Sequence, residues 1–473
     1  MLSLQTKLHD KTEERDACQS VILQYRHLLS PLGLLPNGIL AIIFGYCLPD
    51  SRCATFNTNE PPILLSLVCR RWRLVAYNSP QLWASLHIQF PSYTDSPGSE
   101  YNRPHFQAQV IHHQAAISQW LSRSGSFPLS ISLYPLVNSY SAPIEYYQGY
   151  LDILLSVAHR IRAIAEIIPA GDFSSFFASF SAGDFPMLDT LHLTFNQSYR
   201  LGSATHDKKW QISELLCARN LRSLYISDFP CSFPHLVNGW STLTHLDIIS
   251  TDRYWKDEGL SIADLSTLFL QCGSLVHCGV EVHDMPSAVC SLDRIHLPIH
   301  LPYLRSITIM DGAPQLSTLM DILDLPNLRI VKYETKFLPS ESRIPALFAL
   351  LARNYGATES LMTNVEFMTS TELLRCFSLT PFLTHFRQEH SRIVIQQVDF
   401  SRTFLELLFP DEHCQCFWPH LINIDITGVR SLDIQDIIQF VRRRRTALAL
   451  SGIILPLKQV RVEFGYTRSI GAR

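Results

Sequence analysis

The sequence predicts an α/β protein in which an amino-terminal helix and a small α-helical domain precede an irregular solenoid with a parallel sheet. Three observations predict this fold. Short apolar helical segments are concentrated in residues 31–90, and a loose L-x-x-L-x-L pattern recurs through residues 127–473. The third is composition: 473 residues with 47% hydrophobic and 17% charged side chains fit an ordered chain that is too long for one small domain.

Residues 1–30 predict a helix that ends at Ser30-Pro31. Steps of four and three residues select a seam in which six of eight positions are apolar or aromatic, as in a heptad repeat. The seam consists of Leu4, Leu8, Lys11, Arg15, Cys18, Ile22, Tyr25 and Leu29. The helix could form a dimeric coiled coil or fold back on the next domain. Because Lys11 and Arg15 interrupt the seam, we favour the second arrangement.

A short apolar helix is expected to follow, and Leu35-Pro36 opens it. Proline has a fixed φ and no N–H, so it is tolerated in the first turn of a helix. The following apolar residues cover one face and part of a second, and they are Ile39, Leu40, Ile43 and Phe44. We expect this helix to stop before Pro49.

After an insert at residues 50–60, Pro61-Pro62 precedes a second helical stripe. The stripe has arginines 70, 71 and 73 between its members, which are Leu64, Leu67, Val68, Cys69 and Trp72. Asn78-Ser79-Pro80 predicts a turn, and Leu82-Trp83 begins another apolar segment. A unit of about fifty residues is small for a self-sufficient core, so part of this surface is expected to meet a partner. The alternative is an ordinary helical subdomain with both tryptophans in its core.

The order LPxxIL…IF, then LxxVCRRWR, then P-x-LW resembles the F-box of ubiquitin-ligase adaptors, in the form abundant in mushroom-forming (basidiomycete) fungi. The resemblance implies an F-box over residues 31–90 that binds a Skp-type adaptor and, through it, a cullin. It also implies a set of residues for adaptor binding, of which some contact the adaptor and others support the binding surface. That set is Leu35, Pro36, Ile39, Leu40, Ile43, Phe44, Leu67, Val68, Cys69 and Trp72.

Residues 91–126 are expected to connect the F-box-like segment to the repeats through a surface loop and a helix at Gln107–Arg123. The segment Phe127–Leu133 alternates like a strand and, with residues 85–88, is expected to begin the sheet. In the fungal family, LW-x-x-L-x-I and PL-x-L-x-L open the repeat domain in this way. Beyond residue 133 the resemblance depends on the style of the repeats alone.

The repeats of residues 127–473 have the apolar pattern of a degenerate leucine-rich repeat. The first apolar residue turns the chain inward and the next two lie on the buried face of a short strand. The apolar sets are Leu188, Leu191, Leu193; Leu221, Leu224, Ile226; Leu243, Leu246, Ile248; Leu275, Cys278, Val280; Leu304, Ile307, Ile309; Leu328, Val331, Tyr333; Met362, Val365, Phe367; Leu383, Phe386; and Leu421, Ile424, Ile426. A generic α/β protein is the alternative.

Helical segments are expected to return the chain between strands. These returns are predicted at Ile212–Ala218, Ile262–Cys272, Leu316–Leu323, Ile344–Ala352, Thr371–Phe377 and Ile434–Val441. The basic run Arg442–Arg445 is interpreted as the solvated end of the last of them.

Composition and charge argue against several functional classes. A net charge of −3 and a pI near 6.7 give no basic footprint for nucleic acid. The chain shows no secretory signal and no uninterrupted apolar stretch of membrane-spanning length. We therefore expect an intracellular, soluble protein of the cytoplasm or nucleus, whose twelve cysteines are small buried hydrophobes.

No catalytic or cofactor-binding motif is present, so no enzyme, metal or cofactor is expected. The best metal candidate, Asp411–Cys416, is crowded and lacks a second ligand pair, and His112-His113 is interpreted as surface. The predicted function is that of a substrate-recognition adaptor of a Skp–cullin–F-box ubiquitin ligase with an unknown protein substrate. The rivals are a repeat scaffold without a ubiquitination role, a membrane- or nucleic-acid-binding repeat protein, and an enzyme.

Overall fold

The structure is a computed structural model of the whole chain. It describes residues 2–29, 31–91, 103–134, 145–167, 180–194, 214–227, 240–249, 260–283, 298–313, 315–335, 345–365, 368–388, 400–409, 417–429, 434–451 and 454–464. The chain forms two compact units. Unit 1 comprises residues 1–88 and 107–132, and unit 2 comprises residues 89–106 and 133–473.

Unit 1 is mainly helical. Its elements are α1 (Leu2–Leu29), α2 (Pro31–Leu34), α3 (Asn37–Tyr46), α4 (Ile63–Val68), α5 (Arg70–Tyr77), the 3-10 turn Pro80–Trp83, β1 (Ser85–Gln89), most of α6 (Arg103–Arg123) and most of β2 (Leu129–Tyr134). The expected ends of the first two apolar helices are confirmed, since α1 ends before Pro31 and α3 before Pro49.

The second helical stripe is broken in two, where the sequence predicts one continuous helix. Cys69 is extended at φ −158° and ψ 170°, and its sulfur accepts a hydrogen bond from the Trp72 N–H at 3.5 Å. Cys69 therefore caps the amino terminus of α5 instead of continuing α4. The predicted stripe therefore forms two short helices, α4 and α5.

Unit 2 contains the repeats. In its main sheet the strands are parallel and follow the order of the chain: β3 (Ile161–Ile167), β4 (Thr190–Thr194), β5 (Ser223–Ser227), β6 (His245–Ile249), β7 (His277–His283), β9 (Ser306–Gly312), β11 (Ile330–Thr335), β12 (Ser360–Thr363), β13 (His385–Gln388), β14 (Asn423–Val429) and β15 (Gln459–Phe464). The short strands β8 (Ile299–His300) and β10 (Leu323–Asp324) pair separately. The predicted α/β class with a parallel, solenoid-like sheet is confirmed.

Helical returns lie between many of the strands. They are α7 (Glu145–Val157), α8 (Ile262–Gln271), α9 (Leu316–Met320), α10 (Pro345–Arg353), α11 (Ser370–Leu379), α12 (Phe400–Leu407) and α13 (Ile434–Ser451), with 3-10 turns at Ala158–Arg160, Ala182–Asp184, Glu214–Cys217 and Trp240–Thr242. The return predicted at residues 316–323 is shorter, since its helix ends at Met320 and β10 begins at Leu323. The return predicted at residues 212–218 is a 3-10 turn over its described part.

Most of the predicted apolar positions fall in continuous registered rows across the sheet, together with Leu361 and Val460, which the predicted sets did not include. One row consists of Leu191, Leu224, Leu246, Cys278, Ile307, Val331, Leu361, Phe386, Ile424 and Val460. From Leu191 to Ile424 every member is buried. Because neighbouring strands present the same face at the same height, stacking the repeats creates one long core.

One predicted set, Met362, Val365 and Phe367, lies four residues beyond the true set of this repeat. Leu361 pairs with Val331, and Thr363 pairs with Tyr333, so these two residues take the inward positions. Met362 is half-buried on the opposite face, and Phe367 lies outside the described residues. Buried Thr358 precedes the strand where other repeats have leucine, and this substitution hid the true register from the apolar pattern.

The basic run is not the solvated end of a helix. It lies in the middle of α13, and Arg444 is buried and donates to the carbonyl oxygens of Trp418 (2.7 Å) and Pro419 (3.3 Å). The guanidinium of Arg443 lies 4.6 Å from the centre of the Phe409 ring. Two of the four arginines therefore fasten α13 to the last repeats.

Candidate functional site

The first candidate surface lies on α3 and α4, which both pack on α5. In α3, Leu40 and Phe44 are fully buried, and the ring centres of Phe44 and Trp72 are 4.8 Å apart. Leu40 and Phe44, which the sequence places in the adaptor-binding set, therefore support the surface from within. Trp72 is half-buried, so part of its ring remains accessible.

The outer side of the same helices is also apolar. Ile39 is 46% exposed in α3, and Leu67 and Val68 are 54% and 55% exposed in α4. We define the apolar patch as Leu34, Ile39, Ile42, Ile43, Tyr46, Leu64, Leu67 and Val68, all of which are exposed. A helix that is apolar on all sides is normally buried. In α3, by contrast, one apolar face is exposed, and nothing within the described chain covers it.

Sequence reasoning identified only part of the apolar patch. It missed Leu34, Ile42 and Tyr46, and it placed Leu64 in the second stripe without counting it among the binding residues. The steps of three and four residues from Ile39 to Ile42, Ile43 and Tyr46 carry the signal that could have found Ile42 and Tyr46. Leu35 is half-buried and Pro36 is exposed at the amino-terminal end of α3, and Cys69 is half-buried at the start of α5.

Arg71 holds the chain at the entrance of α3. Its Nε donates to Asn37 Oδ1 at 3.0 Å, and its terminal nitrogens donate to the carbonyl oxygens of Leu32 (3.4 Å) and Leu35. A single guanidinium therefore joins α5 to the turn that carries Leu34. This geometry makes Arg71 a positioning residue for one end of the apolar patch.

The insert at residues 50–60 packs on other residues of unit 1. The Ala54 carbonyl accepts a hydrogen bond from the His87 N–H of β1 at 2.7 Å, and the Phe56 ring packs on Trp120 and His113 at 5.2 and 5.6 Å. His113 is half-buried, which corrects its interpretation as a surface residue, and this burial lowers its pKa. Hydrogen bonding from Arg52 lowers the pKa of the Glu60 carboxyl.

The second candidate surface is the polar face of the sheet, opposite the buried rows. A first registered row on this face contains Thr190, Ser223, His245, His277 and Ser306, and a second contains His192, Tyr225, Asp247, Gly279 and Thr308. Most of these side chains are half-buried, because each is flanked by the neighbouring strands. They present hydrogen-bonding groups at intervals of one strand.

Asp247 is held in place on this face. Its Oδ1 lies 3.0 Å from His277 Nε2, and a Cβ at Gly279 would approach that oxygen to 1.9 Å. The carboxylate therefore occupies the space that glycine leaves on the next strand. Burial first, and then the charge of Asp247, raise the pKa of Tyr225 beside it.

Two buried polar pairs lie deeper in the sheet. Tyr333 donates its hydroxyl to Asp311 Oδ2, and the Ala313 N–H donates to Oδ1 at 3.1 Å. Burial raises the pKa of Asp311 to about 6, against the opposing effect of these two hydrogen bonds. His283 and Glu281 form a second buried pair at 2.8 Å.

Within the described ranges, no group of three or more His, Cys, Asp or Glu side chains could hold a metal ion. The predicted candidate at residues 411–416 lies outside those ranges. Burial raises the pKa of Cys272 and of Cys376 to about 12, so these thiols are protonated core residues. Cys18, Cys47 and Cys217 are exposed, so the cysteines are only partly the buried hydrophobes that the sequence predicts. No described helix is long and apolar enough to cross a membrane.

No family model and no curated protein matches the chain. Among solved structures, a crystal structure of the Rad7 and Elc1 complex in yeast is similar with a TM-score of 0.37 and 14% sequence identity. The match covers 91% of this chain and 94% of that chain. At this level of similarity the function has to be argued from the chain's own residues.

Proposed function

We propose that this protein is the substrate-recognition subunit of a Skp–cullin–F-box ubiquitin ligase. The apolar patch would bind a Skp-type adaptor, and the repeats would bind a protein substrate. One observation carries the proposal: α3 is apolar on its outer face as well as its inner face, at the positions where the sequence resembles an F-box. The ubiquitin chemistry would belong to other subunits.

The expected contacts follow from exposure. Ile39, Ile43, Leu67 and Val68 would contact the adaptor, while buried Leu40 and Phe44 would keep the patch in shape. Large apolar side chains at the centre of an interface supply most of its binding energy. Trp72→Ala is therefore expected to cost roughly 2 kcal/mol or more in adaptor binding or in local folding.

The test is co-purification of the full chain with a recombinant Skp-type adaptor. The double variant Ile43→Glu/Leu67→Glu places two charges in the patch at exposed positions, which limits damage to the fold. Leu270→Glu is the matched control, because Leu270 is 61% exposed on a helix of unit 2. We expect stoichiometric recovery with wild type and the control, and loss with the double variant.

Failure of the folded wild type to bind the adaptor would refute the ligase role. The main rival is a repeat scaffold that binds the adaptor without directing ubiquitination. A reconstituted ligase tests this rival. If the chain binds the adaptor but no captured protein receives ubiquitin, the scaffold is favoured.

A further inference from the structure

Two exposed arginines that have no ion-pair partner among the described residues precede strands of the main sheet. The residue preceding each strand stacks on its neighbours: the Arg222 N–H donates to the Asp189 carbonyl, and the Arg305 N–H donates to the Val276 carbonyl, both at 2.8 Å. Arg222 and Arg305 are exposed, and within the described chain neither side chain makes an ion pair or hydrogen bond. We define the basic strip as Arg222 and Arg305 together with the first-row residues Ser223, His245, His277 and Ser306.

We propose that the basic strip binds an extended acidic segment of a protein partner. The inference deepens the proposed function, since it names a chemical class of substrate for the repeats. Carboxylate and phosphate groups share the chemistry that the strip would recognise, and the experiment below separates them.

The described acidic side chains near the strip are already paired with other residues. Asp247 faces His277, Asp189 pairs with Arg162 at 2.6 Å, and Glu281 is buried against His283. The next arginine along the edge, Arg329, is paired with Glu359. Among the residues that the structure describes here, the uncompensated charge is therefore positive, and a cationic partner would meet two arginines and no unpaired carboxylate.

The spacing suits an extended chain. Arg222 and Arg305 precede β5 and β9, which are three strands apart in the sheet order. At about 4.8 Å per strand the two backbone positions are roughly 14 Å apart, which is the length of about four extended residues. The first-row histidines His245 and His277 lie on the two strands between them, and such side chains can hydrogen-bond a peptide backbone.

Fluorescence anisotropy with the full chain and no adaptor would test the inference. The probes are three labelled peptides of equal length, rich in glutamate, phosphoserine or lysine. We expect one or both acidic peptides to bind with salt-sensitive affinity and the lysine peptide not to bind. Arg222→Glu/Arg305→Glu should weaken acidic binding about tenfold or more, because both cationic contacts become repulsive.

Arg461→Glu is the matched control, since Arg461 is exposed on β15 at the far end of the same sheet. It should leave binding unchanged. Binding of only the phosphoserine peptide would assign the site to phosphate, and binding of both would assign it to anionic segments in general. Equal binding of the lysine peptide, no binding of either acidic peptide, or an unaffected double variant would overturn the inference. Adaptor binding is measured separately, so failure here would leave the ligase proposal standing.

Discussion

At the scale of single residues, a few polar side chains make several stabilising hydrogen bonds each. In the sequence they are only the residues that lie between the apolar positions of a helical stripe. Arg71 is one of three arginines between the apolar members of the second stripe. Of these, Arg71 reaches three acceptors near the start of α3, and Arg73 donates to the Ser66 carbonyl at 2.9 Å. Their roles differ because each points from a different side of a short helix.

Replacing Arg71 with alanine is expected to lower the free energy of unfolding of unit 1 by about 1–3 kcal/mol, because it leaves the carbonyls of Leu32 and Leu35 without their donor. Arg70→Ala is the control, since Arg70 is exposed and makes no side-chain hydrogen bond or ion pair within the described chain. Urea unfolding followed by tryptophan fluorescence would measure both. Equal stability of the two variants would show that Arg71 does not fasten α3.

The buried carboxyl of Asp311 makes the stability of the folded protein depend on pH, and the direction of its pKa shift gives the sign of this dependence. Its pKa is about 6 in the folded chain and near 3.8 unfolded, so between these values the folded state binds more protons. The contribution of Asp311 to stability therefore falls as pH rises from about 4 to 6. Asp311→Asn mimics the protonated carboxyl and should be more stable than wild type at pH 7 by up to about 3 kcal/mol.

The measurement is the difference in urea-unfolding free energy between wild type and Asp311→Asn at pH 4.5 and pH 7. Taking the difference cancels titrations that both proteins share. The advantage of the variant should be larger at pH 7. A difference that is constant with pH would mean that Asp311 titrates normally in the fold.

At the scale of elements, neighbouring strands constrain each other through side chains on the polar face. Gly279 on β7 has no Cβ, and Asp247 on β6 uses the vacant space while it contacts His277. Gly279→Ala would force the Asp247 carboxylate away from His277. We expect a loss of about 1–3 kcal/mol from this overpacking.

A double-mutant cycle would identify the cause. In an Asp247→Ala background the closest atom to the new Cβ is absent, so Gly279→Ala should cost clearly less than in wild type. Thermal unfolding of the four proteins provides the comparison. Additive losses would indicate that the cost of Gly279→Ala comes from the backbone instead.

Elements with a strong apolar period could be predicted from sequence, and those defined by polar contacts could not. The sets around Leu191, Leu224 and Ile307 match strands, because burial on one face fixes a period of two. The predicted apolar sets did not include β3 or β15, and they misplaced β12, where threonine replaces leucine. The predicted helical returns did not include α7 or α12. The sequence predicted only part of the exposed side of α3, because an apolar residue can be either buried or exposed.

The amino-terminal helix shows a similar limit. Its predicted seam is exposed where the side chains are described, including Lys11, Arg15, Cys18 and Ile22, so this part of α1 does not fold back on the helical domain. Whether the seam pairs with a second chain stays a prediction.

At the scale of the whole molecule, the sheet of unit 2 is a one-dimensional stack. From β3 to β15 each strand of the main sheet pairs only with the strands before and after it in the order, so coupling between distant repeats passes through those between them. Unit 1 divides from the repeats as a separate compact unit. Damage inside one repeat is therefore expected to spread to its neighbours first.

Val331→Ala tests this expectation in the middle of the stack. Val331 is fully buried on β11, paired with Ile307 on β9 and Leu361 on β12, and its truncation should cost about 1–2 kcal/mol. Hydrogen exchange read by mass spectrometry should quicken in β9, β11 and β12 and stay unchanged in β4 and in α3. Ile330→Ala, at an adjacent and 46% exposed position, is the control that should leave the exchange pattern unaltered. Faster exchange throughout the chain would show instead that the repeats and the helical unit unfold as one cooperative whole, because only global opening exposes distant strands together.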